Sequence, residues 1–303
     1  MKPFYADGEK SVIDPQRRAK YVQASRGLNR YLRVVLGQAD AFAATHDENA
    51  RSCAISLLGA WAAADAMNGR HTSQGQHNRA WALGSLCLAY IKLGGKERSS
   101  NDGAIGAWFS RLADGVVAHQ TSRRNEHGAD AETNLYYWAG MSVGCVGVVL
   151  DRADYWRFGA EAFERATANI GPDGVLAIES RRGRRAALYH DFAAQPLVLL
   201  ARLGRYGGDD IYGRDGEALD RLVGLVKRLL ADPQILARSA GVEQEALPRA
   251  RWMGLYERLR GAEAYYAAPE DEERDQDSRL GGRVAALDKA LQGSSSTAKS
   301  SSP

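Results

Sequence analysis

Apolar residues along this chain recur at helical spacing almost from end to end, and the every-other-residue alternation of a half-buried strand is nearly absent. That periodicity points to an all-α protein. It predicts helices over Arg17–Ala43, Arg51–Met67, Arg79–Leu93, Gly103–Ala118 and Thr133–Leu150 in the first half of the chain. Tyr155–Asn169, Ala186–Leu203, Glu217–Ala231 and Glu245–Tyr266 follow. Punctuation agrees with these bounds: Asp47 and Asn49 before the second helix, Gly94-Gly95 after the third, Gly171-Pro172-Asp173-Gly174 after the sixth, and Gly207-Gly208-Asp209-Asp210 before the eighth. Helices joined by short turns pack as antiparallel neighbours. No strict solenoid repeat accompanies them, so an irregular ring of αα-hairpins, an incomplete barrel, is expected. One domain should cover residues 3–291, with the acidic stretch Pro269–Ser278 as an exposed loop and the Gly/Ser-rich 292–303 as a disordered tail.

Composition narrows the function classes. With 40 basic and 37 acidic residues the net charge is only +3, which argues against wholesale nucleic-acid binding. Cys53, Cys87 and Cys145 are odd in number, lie in apolar stretches and form no CxxC pair, so they read as buried thiols. No stretch is long and apolar enough to span a membrane, and Met1-Lys2-Pro3-Phe4-Tyr5 lacks a signal-peptide core, which leaves the cytoplasm or an absent leader. HExxH, a Walker loop, GxSxG and a strand-linked GxGxxG are missing, and the six histidines show no metal-ligand spacing.

Three segments carry the chemistry that remains. Glu179-Ser180-Arg181-Arg182-Gly183-Arg184-Arg185 leads into a helix bearing Tyr189-His190. Such a run is either a solvated basic loop or, because guanidinium matches carboxylate geometry, a reader of acidic ligands. Asn134, Tyr137 and Trp138 open another helix, where the aromatics serve either the core or a sugar face. Gln74-Gly75-Gln76-His77-Asn78-Arg79 precedes the apolar run Ala80-Trp81-Ala82-Leu83-Gly84-Ser85-Leu86, and a lone histidine such as His77 is commonly a surface residue.

Together these segments resemble polysaccharide lyase family 5, the alginate lyases with an α/α toroid fold. The likeness runs through Trp81–Leu86, Asn134 with Tyr137-Trp138, the Asp173-Gly174 turn, Arg182 to Tyr189-His190, and Arg279-Leu280-Gly281-Gly282. It implies a catalytic set of Tyr189, Arg182 and Asn134. Trp138, Tyr137, Arg185, His190, His77, Arg79 and Tyr5 are the expected sugar contacts. The family's His beside the Asn is Leu135 here, and its N-terminal lysine is missing, with Phe4 or Tyr5 near its place. The implied reaction is β-elimination on a polyuronate, without metal or organic cofactor. Asn134 and Arg182 would neutralise the uronate carboxylate. Tyr189, with its reference pKa of about 10 lowered by the arginine cluster, would move the proton. An acidic polysaccharide is then the expected partner, with no nucleic acid and no membrane, and a monomer in the periplasm is the expected form.

Leu135 leaves three accounts open. His127 or His190 enters the site from elsewhere, or Asn134 and Arg182 suffice for a uronate such as glucuronan, or the chain binds polyuronate without cutting it. A helical-toroid uronyl hydrolase or epimerase is the remaining rival, and it would place acidic residues in the cleft.

Overall fold

The computed structural model describes residues 4–95, 103–264 and 276–292. Helix α1 (Pro15–Thr45) starts where Asp14 accepts the Arg17 N–H at 2.9 Å and proline fills the first helical position, where no donor is needed. Asp47 caps α2 (Glu48–Ala63) through Asn49 N at 2.9 Å, as its sequence position suggested. Next come α3 (Ser73–Lys92), α4 (Gly103–His127), α5 (Asn134–Leu150), α6 (Ala153–Ala168) and the single turn α7 (Ala177–Ser180). The chain closes with α8 (Ala186–Gly207), α9 (Ile211–Ala231), α10 (Ala237–Ala240), α11 (Met253–Leu259) and α12 (Val284–Ala290).

Burial sorts these helices into layers. α3, α5 and α8 are covered on nearly every side, as helices apolar all round must be. α6 and α9 each bury one face. The inner helices pack in series, α1 on α3, α3 on α5 and α5 on α8, while α2, α4, α6 and α9 lie outside them. This is an α/α toroid. Glycine allows the tightest crossing, α5 on α6: a Cβ at Gly147 would stand 2.4 Å from the Trp156 backbone nitrogen.

The bounds depart from the periodicity where polar chemistry rules. α3 begins well before Arg79 because Thr72 accepts the Gly75 N–H at 3.2 Å. α9 begins before Glu217 because Asp210 accepts from Gly213 N at 3.1 Å. The helix expected over Glu245–Tyr266 is replaced by irregular backbone followed by α11. Pro248 removes a donor there, and Gln244 spends its amide on the entrance of α8, accepting from Ala187 N at 3.0 Å and donating to Gly183 O at 3.0 Å. The expected acidic loop lies outside the described residues over 269–275, as does the tail over 293–303. At 276–283 the chain instead forms a two-stranded ribbon, β1 (Gln276–Asp277) antiparallel to β2 (Gly282–Arg283). Gly281 and Gly282 turn it with φ of 80° and 104°, values that side chains disfavour. Buried Lys92 pins the ribbon by donating to Asp40 and to the Gly281 carbonyl. No helix among the described residues is long and apolar enough to cross a membrane.

Candidate active site

One buried carboxylate organises the site. After the Gly171–Gly174 turn, Leu176 pairs back with Ile170 and starts α7, which carries Glu179 into the protein with no exposed surface. Its Oε1 accepts from Asn134 N at 2.8 Å and from Asn134 Nδ2 at 2.9 Å; its Oε2 meets Arg182 Nε at 3.1 Å. Asn134 and Arg182, far apart in sequence, are thereby fixed side by side. Asn134 Oδ1 is buried and has no hydrogen-bond partner among the described residues.

Tyr189, on the first turn of α8, stands between two arginines. The guanidinium carbons of Arg182 and Arg185 lie 5.2 and 5.8 Å from its ring centre. Its hydroxyl donates to Tyr5 Oη at 3.1 Å, which also accepts from Arg185 Nη1 at 2.9 Å. Burial, and then Tyr5, push the Tyr189 pKa above the usual tyrosine value, and the two arginines do not reverse this. The expected lowering by the arginine cluster is therefore corrected: Tyr189 rests as a phenol.

Tyr5 arrives on an N-terminal strap, folded by the Tyr5–Ile13 pairing and by Ala6 N to Val12 O at 2.9 Å. At its tip Lys10 adopts a left-handed φ of 59° and turns into the cleft. A lysine from the N-terminal segment is thus present, contrary to the expectation that none was. Burial, reinforced by Arg182 and Arg123, lowers its pKa. Opposite, α3 presents Gln74, His77 and Trp81, and the ribbon lays Arg279 over Trp81 and Phe192, at 4.9 and 5.2 Å from their ring centres.

These groups line a cavity of about 390 Å³ that holds Tyr5, His77, Asn134, Leu135, Arg182, Arg185 and Tyr189 together. Among the described residues that line it, Lys10, Arg18, Arg182, Arg185 and Arg279 outnumber the carboxylates Asp191 and Asp277, which favours an anion. Four expected contacts lie elsewhere. Trp138 and Tyr137 are fully buried because α5 is an inner helix; their polar atoms donate to Phe192 O at 3.1 Å and Glu132 O at 3.0 Å. His190 is buried, with Nδ1 bonded to Ala186 O at 2.8 Å and Nε2 accepting from Leu176 N at 3.0 Å. It ties α7 to α8 and offers nothing to the cleft. Arg79 is buried too, donating to the Gly115 carbonyl on α4. His127 sits exposed at the end of α4 beside Glu126, so neither His127 nor His190 takes the place of the histidine missing at Leu135. Glu179 and Lys10 were missed in the sequence, where an acidic residue before four arginines reads as solvated charge. Among the described residues, no three His, Cys, Asp or Glu side chains gather to hold a metal ion.

Fold and site together define a helical toroid with a cationic, tyrosine-bearing cleft. The alginate lyase family model matches residues 2–236, and the chain belongs to that family of polysaccharide lyases. A polysaccharide lyase of Stenotrophomonas maltophilia (strain K279a) is 34% identical over 264 residues, covering 85% of this chain and 77% of that protein. The alginate lyase of Pseudomonas syringae pv. syringae (strain B728a) is 32% identical over 216 residues, 67% of this chain, which spans only 56% of that relative's length. Among solved structures, alginate lyase A1-III of Sphingomonas species A1 superposes with a TM-score of 0.73 at 20% identity, covering 94% of this chain and 81% of the other. A tetrasaccharide complex of alginate lyase A1-III gives 0.74 at 21% identity, with 88% and 80% covered.

Proposed function

We propose that this chain cleaves an acidic polyuronate, of the alginate or poly-mannuronate type or a glucuronan, by β-elimination that leaves unsaturated uronate ends. One observation carries the reading: a fully buried Glu179 holds Asn134 and Arg182 beside a phenol flanked by arginines. Removing the C5 proton of a uronate builds charge on its carboxylate, and a fixed guanidinium and amide oppose that charge without reorganising. Tyr189, resting as a phenol, suits protonation of the departing glycosidic oxygen. Arg182, Arg185 and Lys10 supply the positive charge, so the scheme calls for no metal or organic cofactor. The names of the relatives agree, being alginate and polysaccharide lyases.

A hydrolase or epimerase is less well supported. Both oxygens of Asp191, the buried acid of the cleft, are taken, by Trp252 Nε1 at 2.8 Å and Gln195 Nε2 at 2.9 Å. A binder that does not cut is the second reading, and Leu135 lining the cleft is what favours it. A monomer is our reading of its state, and the periplasm, by family likeness, our reading of its compartment, with the cytoplasm as the alternative. The deciding experiment offers poly-mannuronate, poly-guluronate, glucuronan and hyaluronan, with and without chelator, and follows the ultraviolet absorbance of the unsaturated product. A signal that survives chelation is expected. Binding without any signal would leave the non-cutting reading standing.

A further inference from the structure

We infer that the solvent face of α1 is a second binding surface for the polymer, a cationic track that carries the uronate chain on from the mouth of the cleft; this rests on the polyuronate reading. The sequence of the helix is the first ground. Residues 15–39 hold six basic side chains and no acidic one, in a chain whose net charge is only +3. Helices favour acids near the N-terminus, where the macrodipole stabilises them, and opposite signs one turn apart. Here Arg17, Arg18 and Lys20 crowd the first turns, with no acid among them. Arg26, Arg30 and Arg33 follow at spacings of four and three, where like charges weaken a helix. A pattern that costs the helix stability calls for a ligand of opposite charge.

Position is the second ground. Arg18 lines the cleft, its guanidinium carbon 4.8 Å from the ring centre of Phe4 and 5.6 Å from that of Tyr21. From there residues 18, 22, 26 and 30 form one ridge along the helix, each a turn beyond the last. Arg33 stands beside the far end, about 22 Å from Arg18 along the axis at the helical rise per residue. All five side chains are exposed. Elsewhere exposed arginines commonly carry a partner, as Arg111 does with Asp65 at 2.8 Å and Arg152 with Asp154 at 2.6 Å. Among the described residues, Arg26, Arg30 and Arg33 have no such carboxylate. Val22, 47% exposed between Arg18 and Arg26, adds an apolar step that suits the C–H face of a sugar ring.

Chemistry selects the occupant. A polyuronate carries a carboxylate on every sugar, so a chain lying along the ridge meets one guanidinium after another, whichever sugar comes first. Exposed pairs are individually weak and screened by salt, so the track holds the polymer without fixing its register. Register is fixed inside the cleft, where Asn134 and Arg182 are bonded to Glu179.

The test compares long chains with short. Kd is read in a Tyr189→Phe background, on poly-mannuronate and glucuronan, each as a long polymer and as its tetramer. Combining Arg26→Gln, Arg30→Gln and Arg33→Gln keeps helix propensity. It should weaken long-chain binding about tenfold at low salt, with a flatter salt dependence. Tetramer binding should stay within about twofold, since none of the three lines the cleft. A control of equal charge change, Arg111→Gln with Arg157→Gln and Arg238→Gln, lies on α4, α6 and α10 and should bind long chains as the parent does. Equal losses in the two triple variants would assign the effect to net charge and overturn the inference. Equal losses on long and short chains would place the effect in the cleft and overturn it too. Parental long-chain affinity in the α1 variant is the third such result. A melting temperature lowered by several degrees would then give the arginines to the chain's own acidic stretch at 270–275, and lost binding to phosphatidylglycerol vesicles would give them to lipid. A parent that cuts none of the polymers sinks the lyase reading alone, because Kd is read without turnover.

Discussion

The two ends of the cleft are built on different principles. At one end Asn134, Arg182, Arg185 and Tyr189 are held by directed bonds that lead back to the buried Glu179 and to Tyr5. At the other, Trp81, Phe192 and Arg279 are held by ring packing, with Trp81 and Phe192 edge-on at 6.1 Å and Arg279 spread over both. Directed bonds fix atoms to the tolerance that proton transfer requires. Stacked planes tolerate sliding, which suits a sugar ring that must be gripped and then released. The difference assigns chemistry to the first end and hold on the polymer to the second.

The sharpest break in that division is Tyr189→Phe. It removes one oxygen and leaves the ring between its arginines, so cutting should fall by about 10³-fold or more while polymer binding is kept. Steady-state rates beside a binding isotherm would check it, and a variant cutting at the parental rate would remove Tyr189 from the mechanism. Glu179→Gln comes next. The amide keeps an acceptor for Asn134 but leaves the half-buried Arg182 without its counter-charge, which should cost about 2 kcal/mol of stability. The displaced Arg182 and Asn134 should lower kcat about 10²-fold. Denaturant unfolding and kinetics on the same preparation would show both losses; loss of only one would separate the ion pair from the chemistry.

That Glu179 carries so much was not legible in the sequence, and the reason is physical. Periodicity reports which faces are apolar, so the ring of helices could be read from it, together with caps such as Asp47. It does not say that α5 is covered on all sides, and only that coverage decides for Tyr137 and Trp138 between sugar face and core, in favour of core. Nor does it say where a charged residue with no periodic neighbours will point. Glu179 on its one-turn helix and Lys10 at the tip of a strap are placed by turns, and turn geometry brings together residues that sequence keeps apart. The resemblance supplied Asn134, Arg182 and Tyr189, and the cleft does gather those three. Pro248 and Gln244 undid the helix expected over Glu245–Tyr266, because a side chain that caps another helix outweighs local propensity.

Asp191, beneath the stacking end, gives a prediction in stability. Burial pushes its carboxyl up to about 6 despite the bonds from Trp252 and Gln195, and Asp277 adds to the effect. The folded protein thus holds this proton more tightly than the unfolded chain. The contribution is fully present below about pH 4, erodes as pH rises towards 6, and is gone above that. Asp191→Asn should therefore gain on the parent by about 2 kcal/mol between pH 4 and pH 7. Melting curves across that range would test it; a constant difference between the two proteins would mean that Asp191 does not titrate there.

The smallest effect, and the one that most directly tests the division of the cleft, is Arg279→Ala. This guanidinium touches the rings of Trp81 and Phe192 and belongs to a ribbon pinned from behind by Lys92, so losing it should leave the Glu179 network undisturbed. Arg279 also lines the cleft, and a cation there that meets a substrate carboxylate contributes about 1 kcal/mol. KM should accordingly rise about fivefold to tenfold while kcat stays within about twofold. Arg279→Lys should recover only part of the loss, because an ammonium keeps the charge but not the plane that lies over two rings. A fall in kcat with KM unchanged would show that Arg279 acts in the transition state. The two ends would then be one continuous reacting surface, and the contrast between bonded and stacked ends would describe construction without dividing function.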